Sequence, residues 1–368
     1  MDFKTIKFNT KDQPEFVKEL RSRVNNYFKE NKISKYANTN MVVKTVFMLS
    51  LYFIPYFLIL FNITSNTWIV LSLWLLMGLG MAGIGFSIMH DANHGAYSKN
   101  QTVNKYLGFL INLIGGSSVN WKIQHNVLHH TYTNIHEHDE DMGDGGLMRF
   151  SYHQKRLKAH RFQQFYAWFL YSLITVSWST KKDFIQLERY NKKDFIKTQN
   201  TTYNKALTRL ILAKIFYLSY VLILPLIFSS QAWWVTILFY FAMHLICGFV
   251  ISVIFQLAHI VSETDFPLPS NQGSMENNFA VHQLYTTANF ARNNRILSWF
   301  VGGLNFQIEH HLFPNICHVH YRKLSDIVKQ TAKEYNVPYY GDSSLFKALH
   351  SHGKLLSQLG KNDFATVK

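Results

Sequence analysis

Residues 45–90 read TVFMLSLYFIPYFLILFNITSNTWIVLSLWLLMGLGMAGIGFSIMH, and no charged side chain occurs between Lys44 and Asp91. A helix crosses a bilayer in about 20 apolar residues, so this stretch holds two spans and a tight turn. A second block, from Lys214 to Glu263, is equally free of charge. The chain therefore reads as an all-α integral membrane protein with four spans, near 45–61, 68–89, 207–228 and 233–261. The turns fall at 62–66 and 229–232. The third span is long enough only if Arg209 and Lys214 run their stems along the apolar surface. Pro55 and Pro225 lie inside spans, where kinks are tolerated.

Outside these blocks the chain is polar. Hydrophobic residues make up 48% and charged residues only 16%, yet mean hydropathy is only −0.05, so a large polar part sits outside the bilayer. Lys and Arg number 37 against 22 Asp and Glu, a formal net charge of +15. The apolar blocks have no place in a soluble nucleic-acid binder, and cytoplasmic loops of membrane proteins concentrate Lys and Arg. Both short turns are uncharged. The N-terminal arm, the segment from Asp91 to Lys214 and the tail from Glu263 hold the basic residues, which places all three in the cytoplasm. The expected architecture is two hairpins under a cytosolic helical cap, in the plasma membrane of a bacterium or the endoplasmic reticulum of a eukaryote. The arm, 1–40, carries Phe16, Val17, Leu20, Val24, Tyr27 and Phe28 at helical spacing, an amphipathic pattern. The apolar runs 107–119 and 162–177 are too short to span and read as cap or interfacial helices. The two cysteines, Cys247 and Cys317, stand in unlike contexts, so a disulfide framework is not expected.

The chemistry lies in the 18 histidines, of which the first is His90. They fall in boxes: His90-Asp91-Ala92-Asn93-His94, then His125-Asn126-Val127-Leu128-His129-His130, then Gln307-Ile308-Glu309-His310-His311, with His259 alone at the end of the fourth span. Positions i and i+4 share a helix face, so two rings of a box can address one ion. The second and fourth spans both run inward, so His90 and His259 emerge at the same membrane face. Eight imidazoles exceed one tetrahedral zinc site, and two metals fit better. Imidazole suits Zn, Cu, Fe and Ni. An apolar chain offers nothing to hydrolyse in its middle, whereas two irons with O2 can attack an unactivated C–H bond.

The stretches HDANHGAYS from His90, HNVLHHTYTN from His125 and GGLNFQIEHHLFPNICHVHY from Gly302 resemble the membrane fatty-acid desaturases, in particular the front-end type and bacterial acyl-CoA (linoleoyl-CoA-like) relatives. The resemblance spans about 33–330 and implies a desaturase domain over 41–330, with 331–368 as a cytosolic tail. It implies two iron ions ligated by His90, His94, His125, His129, His130, His310 and His311, with His259 as the further ligand. Gln307 stands where other subgroups have a ligating His. Asp91, Asn134, Asp139, Asp141 and Glu309 are then candidates to accept imidazole N–H bonds. His136, His138, His318 and His320 lie off the ligand positions; His282 falls in the run VHQLYTTANF; His244 reads as a buried hydrogen-bonding residue. His350 and His352, in the polar tail, are expected to be exposed. Many front-end relatives carry a fused cytochrome b5 domain. Here no His precedes His90 and no HPGG-like motif occurs, so no fused haem is expected. Electrons would come from a separate donor such as ferredoxin or cytochrome b5.

The expected reaction is removal of two hydrogens from an acyl chain, carried by CoA, a lipid or acyl carrier protein, using O2 and two external electrons to leave a cis double bond. A hydroxylase or ketolase on the same scaffold would share the boxes and differ in product. A histidine-rich metal transporter would need ionisable residues along its spans, and the charge-free blocks offer mainly His244. A membrane sensor or adaptor would survive loss of iron.

Overall fold

A computed structural model describes residues 5–143, 146–341 and 344–362; the outermost residues of the expected arm and tail lie outside them. Among the described residues regular structure is helical, apart from one isolated bridge between Lys7 and Ser274. Four helices are long and apolar enough to cross a membrane: Thr39–Leu60, Thr67–Asn93, Tyr203–Phe228 and Trp233–His259. Their outward faces leave large apolar side chains exposed, among them Val46, Ile54, Leu212, Ile215 and Trp233. Exposed apolar surface on this scale marks a membrane or partner contact.

The chain forms two compact units. One comprises Asn38–Ile123 and Trp168–Val253; the other comprises Met1–Ala37, Gln124–Ala167 and Ile254–Lys368.

In the first unit small residues set the helix spacing. A Cβ on Gly80 would lie 2.6 Å from the Tyr52 backbone nitrogen, and one on Gly78 would lie 2.6 Å from the Met243 carbonyl oxygen. The second helix therefore approaches both the first and the fourth at backbone distance. The two short turns are tied together: Gln231 Nε2 donates to the Ser65 carbonyl at 2.9 Å, and Thr67 donates to Gln231 Oε1 at 3.0 Å. Lys214 does not reach solvent. Its ammonium donates to the Gly115 carbonyl at 2.6 Å, the Trp178 carbonyl at 2.5 Å and Asp183 Oδ2 at 2.5 Å. Three acceptors satisfy its three N–H groups, which makes a buried ammonium tolerable. His244 is buried as expected, with Nε2 2.8 Å from the Tyr217 hydroxyl and Nδ1 3.1 Å from Thr175 Oγ1. The 107–119 run is broken into Gln101–Gly108, Leu110–Leu113 and Ser118–Trp121. The second break comes at Gly115, with φ 89°, where a Cβ would strike the Tyr217 ring.

In the second unit the helix Pro14–Glu30 buries Phe16, Leu20 and Val24 in one core with Tyr321, Leu324, Val328 and Ala332 of the helix Tyr321–Glu334. Arg23 bridges Glu19 and Glu334 at its edge. Ile308 and Phe306, beside the third histidine box, belong to the same core.

One histidine departs from expectation. His350 is exposed, but His352 is fully buried, with Nδ1 2.6 Å from the Ile260 carbonyl. The helix Leu345–Lys361 buries Ala348, His352, Leu355, Leu356 and Leu359. That spacing makes one face, so the run is an amphipathic packing helix rather than a polar tail.

Candidate metal centre

The second histidine box lies on π-helical backbone, Lys122–His129, continued by the short helix His130–Tyr132. A π-helix bonds i to i+5 and so brings residues five apart onto one face. His125 and His130 are five apart, and their Nε2 atoms approach to 3.2 Å. The third box occupies the helix Gln307–Leu312. Its start is fixed by Asn289, whose Oδ1 accepts from the Ile308 backbone N–H at 2.9 Å. His259 ends the fourth apolar helix.

Within the second unit six imidazoles gather: His125, His129, His130, His259, His310 and His311, none more than 6% exposed. They form two neighbouring sets. Potential ligand atoms of His129, His259 and His311 all lie within 4.8 Å of one another. In the other set His130 Nε2 lies 3.2 Å from His125 Nε2 and 2.8 Å from His310 Nε2. The His130 and His311 rings stack with centroids 4.3 Å apart, joining the sets.

The hydrogen bonds behind the rings show how these imidazoles are oriented. His129 Nδ1 donates to Asp139 at 3.0 Å, His259 Nδ1 to the Thr286 carbonyl at 3.3 Å, and His311 Nδ1 to Gln283 Oε1 at 2.8 Å. His310 Nδ1 lies 3.1 Å from the Tyr321 hydroxyl. With Nδ1 protonated, the lone pair is on Nε2. In His129 and His311 that Nε2 is buried with no hydrogen-bond partner; in His259 it meets none at hydrogen-bond distance, with the Gln307 amide beside it. Buried lone pairs left open in this way are expensive unless something electropositive meets them. Metal-bound histidines show the same pattern, with the second ring nitrogen donating to a carboxylate or carbonyl.

The electrostatics favour a cation. Burial disfavours a charged His129, but Asp139 and Asp141 outweigh it and lift the ring to about 9, so positive charge is held at its Nε2, as a second proton or as a metal in that proton's place. Asp139 is held below the usual carboxylate range: burial opposes this, and His129 with the backbone N–H groups of Asn134 and Asp141 overcomes it. Burial and the neighbouring rings push His311 well below 6.5, so it is neutral, the form that ligates a metal. Burial lifts Glu309 to about 7 despite donors from Asn289 and Tyr339.

The other residues singled out in the sequence are placed as follows. In the first unit His90 and His94 stand with ring centroids 4.8 Å apart, each against Trp121 at 5.5 and 5.6 Å. Asp91 is buried beside His90, 3.8 Å from its Nδ1. In the second unit Asp141 accepts from Gln124 and lies 3.4 Å from His129 Nδ1. Asn134 has φ 58° and works as a backbone clamp, its amide donating to the His259, Asp265 and Thr286 carbonyls. The Glu309 carboxylate accepts from Asn289 Nδ2 at 2.7 Å and Tyr339 Oη at 3.0 Å. His282 Nε2 donates to the Thr133 carbonyl, and His320 Nε2 lies 3.3 Å from the Tyr36 carbonyl. His136 and His138 are partly exposed and His318 is buried.

Five polar residues at this site escaped the sequence reading: Thr133, Gln283, Thr286, Asn289 and Tyr321. Each lies in a run already singled out, HNVLHHTYTN, VHQLYTTANF or the stretch ending in HVHY. A polar residue clustered with the boxes was the available signal.

A set of oriented, buried imidazoles with two carboxylates close by fits a transition-metal centre. The chain also matches the model of the family described as fatty acid desaturase over residues 66–343. The chain belongs to the fatty acid desaturase family. This desaturase is 36% identical over 358 residues to the sn-1 linoleoyl-lipid 6-desaturase of Synechocystis sp., covering 97% of this chain and 98% of that protein. It is 32% identical over 364 residues to the acyl-lipid (8-3)-desaturase of Physcomitrium patens, covering 98% and 75% respectively. Against Delta(5) fatty acid desaturase A of Dictyostelium discoideum the identity is 29%, over 96% and 76%. The protein is thus an oxidoreductase that introduces double bonds into fatty acyl chains.

Proposed function

We propose that the desaturase works through two iron ions held by His90, His94, His125, His129, His130, His259, His310 and His311, with Gln307 at or near the metal. The observation that carries this reading is the cluster of six imidazoles in the second unit, three of them held by acceptors at Nδ1. His90 and His94 join the set on the strength of the box HDANH. Bound iron would supply activation of O2 and removal of two hydrogens from an unactivated chain, with two electrons and two protons delivered from outside. The chain's own residues hold the geometry. Asp139, Gln283 and the Thr286 carbonyl retain the Nδ1 protons, and burial of all six rings excludes water.

The substrate in this reading is a glycerolipid-bound acyl chain, and the product carries a cis double bond at position 6. Support comes from the relative that matches end to end, whose name gives linoleoyl-lipid and position 6. The centre faces the cytoplasm, because the basic segments flank the uncharged turns. A separate acidic redox protein, ferredoxin or cytochrome b5, delivers the electrons, which suits a chain of net charge +15.

The test is a fatty-acid profile. The chain is expressed in a host without polyunsaturated lipids, fed saturated, monoene and diene acids, and its lipids are resolved by gas chromatography–mass spectrometry with double-bond localisation. A new cis Δ6 bond that is absent with His310→Ala is expected. A hydroxy or keto acid would move the enzyme to oxygen insertion, and a bond elsewhere would refute the position.

A further inference from the structure

Gln283 lies on the helix Phe279–Thr286, outside every histidine box, and is fully buried. Its amide touches both the second and the third histidine box. Nε2 donates to the His130 carbonyl at 3.1 Å; Oε1 accepts from His311 Nδ1 at 2.8 Å and from Thr133 Oγ1 at 3.0 Å. The two ends of an amide look alike by shape, but the partners here distinguish them. A backbone carbonyl can only accept, so the NH2 end must face His130. The oxygen end therefore faces His311. An amide oxygen can only accept, so His311 Nδ1 must carry the proton. The neutral ring has one proton, which leaves the lone pair on Nε2, the buried atom without a partner. The second neighbour of His311 Nδ1, Thr133 Oγ1 at 3.2 Å, does not fix the tautomer, because a hydroxyl can donate or accept. The single Thr133 hydroxyl proton is shared between Gln283 Oε1 and the His129 carbonyl, the latter 2.8 Å away.

We propose that Gln283 is a positioning residue that locks His311 in its Nδ1–H tautomer, with Nε2 presented to the metal, while bonding the backbone of the second box to the side chain of the third. This rests on the reading of the histidine cluster as an iron site. A carboxamide does this with one planar group: one end reads a fixed acceptor, and the other transmits that reading to an imidazole 181 positions along the chain from His130. Asp139 does the same for His129 with a charge. Gln283 does it without one, which suits a ring whose neighbours are other imidazoles.

Two variants of the full-length protein in lipid nanodiscs test this. Gln283→Met keeps volume and removes both polar ends; Gln283→Glu keeps an acceptor for His311. Uptake of ferrous iron is measured by elemental analysis and chelator competition, and the imidazole tautomers of the metal-free protein by 15N NMR of histidine-labelled samples. Loss of a residue behind a metal ligand typically weakens metal binding by roughly 10–100-fold. Gln283→Met is expected to lose affinity on that scale, with one imidazole changing tautomer in the metal-free spectrum. Gln283→Glu is expected to keep the wild-type tautomers and both irons. Wild-type tautomers and iron affinity in a folded Gln283→Met would overturn the inference. If Gln283→Met fails to fold, Gln283→Glu decides alone, and a changed tautomer or lost iron there would overturn it. Wild-type protein that takes up no iron would sink the iron reading instead, while the metal-free spectrum still tests the tautomer.

Discussion

Asp139→Asn should separate the metal from the protein with little change in shape. The Asp139 carboxylate receives His129 Nδ1 at 3.0 and 3.1 Å on its two oxygens, the Asn134 backbone N–H at 2.9 Å on Oδ2 and the Asp141 backbone N–H at 2.9 Å on Oδ1. Both oxygens are committed to donors. Asparagine replaces one of them with an NH2 group, which must then face a backbone N–H that cannot accept. One charge-assisted bond is lost, worth roughly 1.5–3 kcal/mol, and one buried N–H is left open at about 1–3 kcal/mol. The local penalty is therefore roughly 2.5–6 kcal/mol, and the field that lifts His129 to about 9 is weakened at the same time. Iron affinity is expected to fall roughly 10–100-fold. Iron per protein after graded chelator exposure measures this directly, and the fatty-acid profile gives the matching loss of product. If Asp139→Asn kept wild-type chelator resistance and wild-type product, the assignment of Asp139 as the group that holds His129 would be wrong.

Iron removal should act on the fold as well as the activity. The His129, His259 and His311 set is left with buried lone pairs, so the metal-free protein should melt lower in detergent, and ferrous iron should restore both Tm and product; unchanged melting on removal would contradict a metal at that set. Acid should act through His352, which burial holds at about 4. Above pH 6.5 the ring is neutral whether folded or unfolded and contributes no pH dependence. As pH falls from 6.5 toward 4 the unfolded chain takes up the proton first, and stability drops by about 3 kcal/mol before levelling off. Denaturant titrations at pH 7 and pH 4.5 should show this loss, and His352→Gln should reduce it. Gly80→Val places a side chain where a Cβ is 2.6 Å from the Tyr52 backbone, an overpacking of at least roughly 1–3 kcal/mol; a variant melting within a degree of wild type would argue against that close approach.

Several features were legible because their cause is local. The four apolar helices follow from the length of the charge-free blocks. The boxes follow from spacing within a few residues, and the family follows from the boxes. The back-side acceptors were harder to read. Asp139 and Asn134 were candidates by proximity to the second box, yet Asn134 clamps backbone carbonyls and Glu309 is tied to Asn289 and Tyr339. Gln283 and Tyr321 looked like ordinary polar residues, because their partners lie in other segments. His352 was misread for a different reason: its helix looks polar by composition and shows its apolar face only when counted at helical spacing.

The sequence by itself determined that this chain is a helical membrane protein of the fatty acid desaturase family. Hydrophobic length and histidine spacing are properties of short stretches, and no fold is needed to see them. Tertiary structure decided which nitrogen carries the proton in three of the rings. That choice depends on which acceptor stands behind the ring: Asp139 for His129, the Thr286 carbonyl for His259 and Gln283 for His311. An imidazole carries its two nitrogens whatever its neighbours. Only the packing of distant helices supplies the acceptor that fixes its proton, and with it the lone pair that can meet a metal.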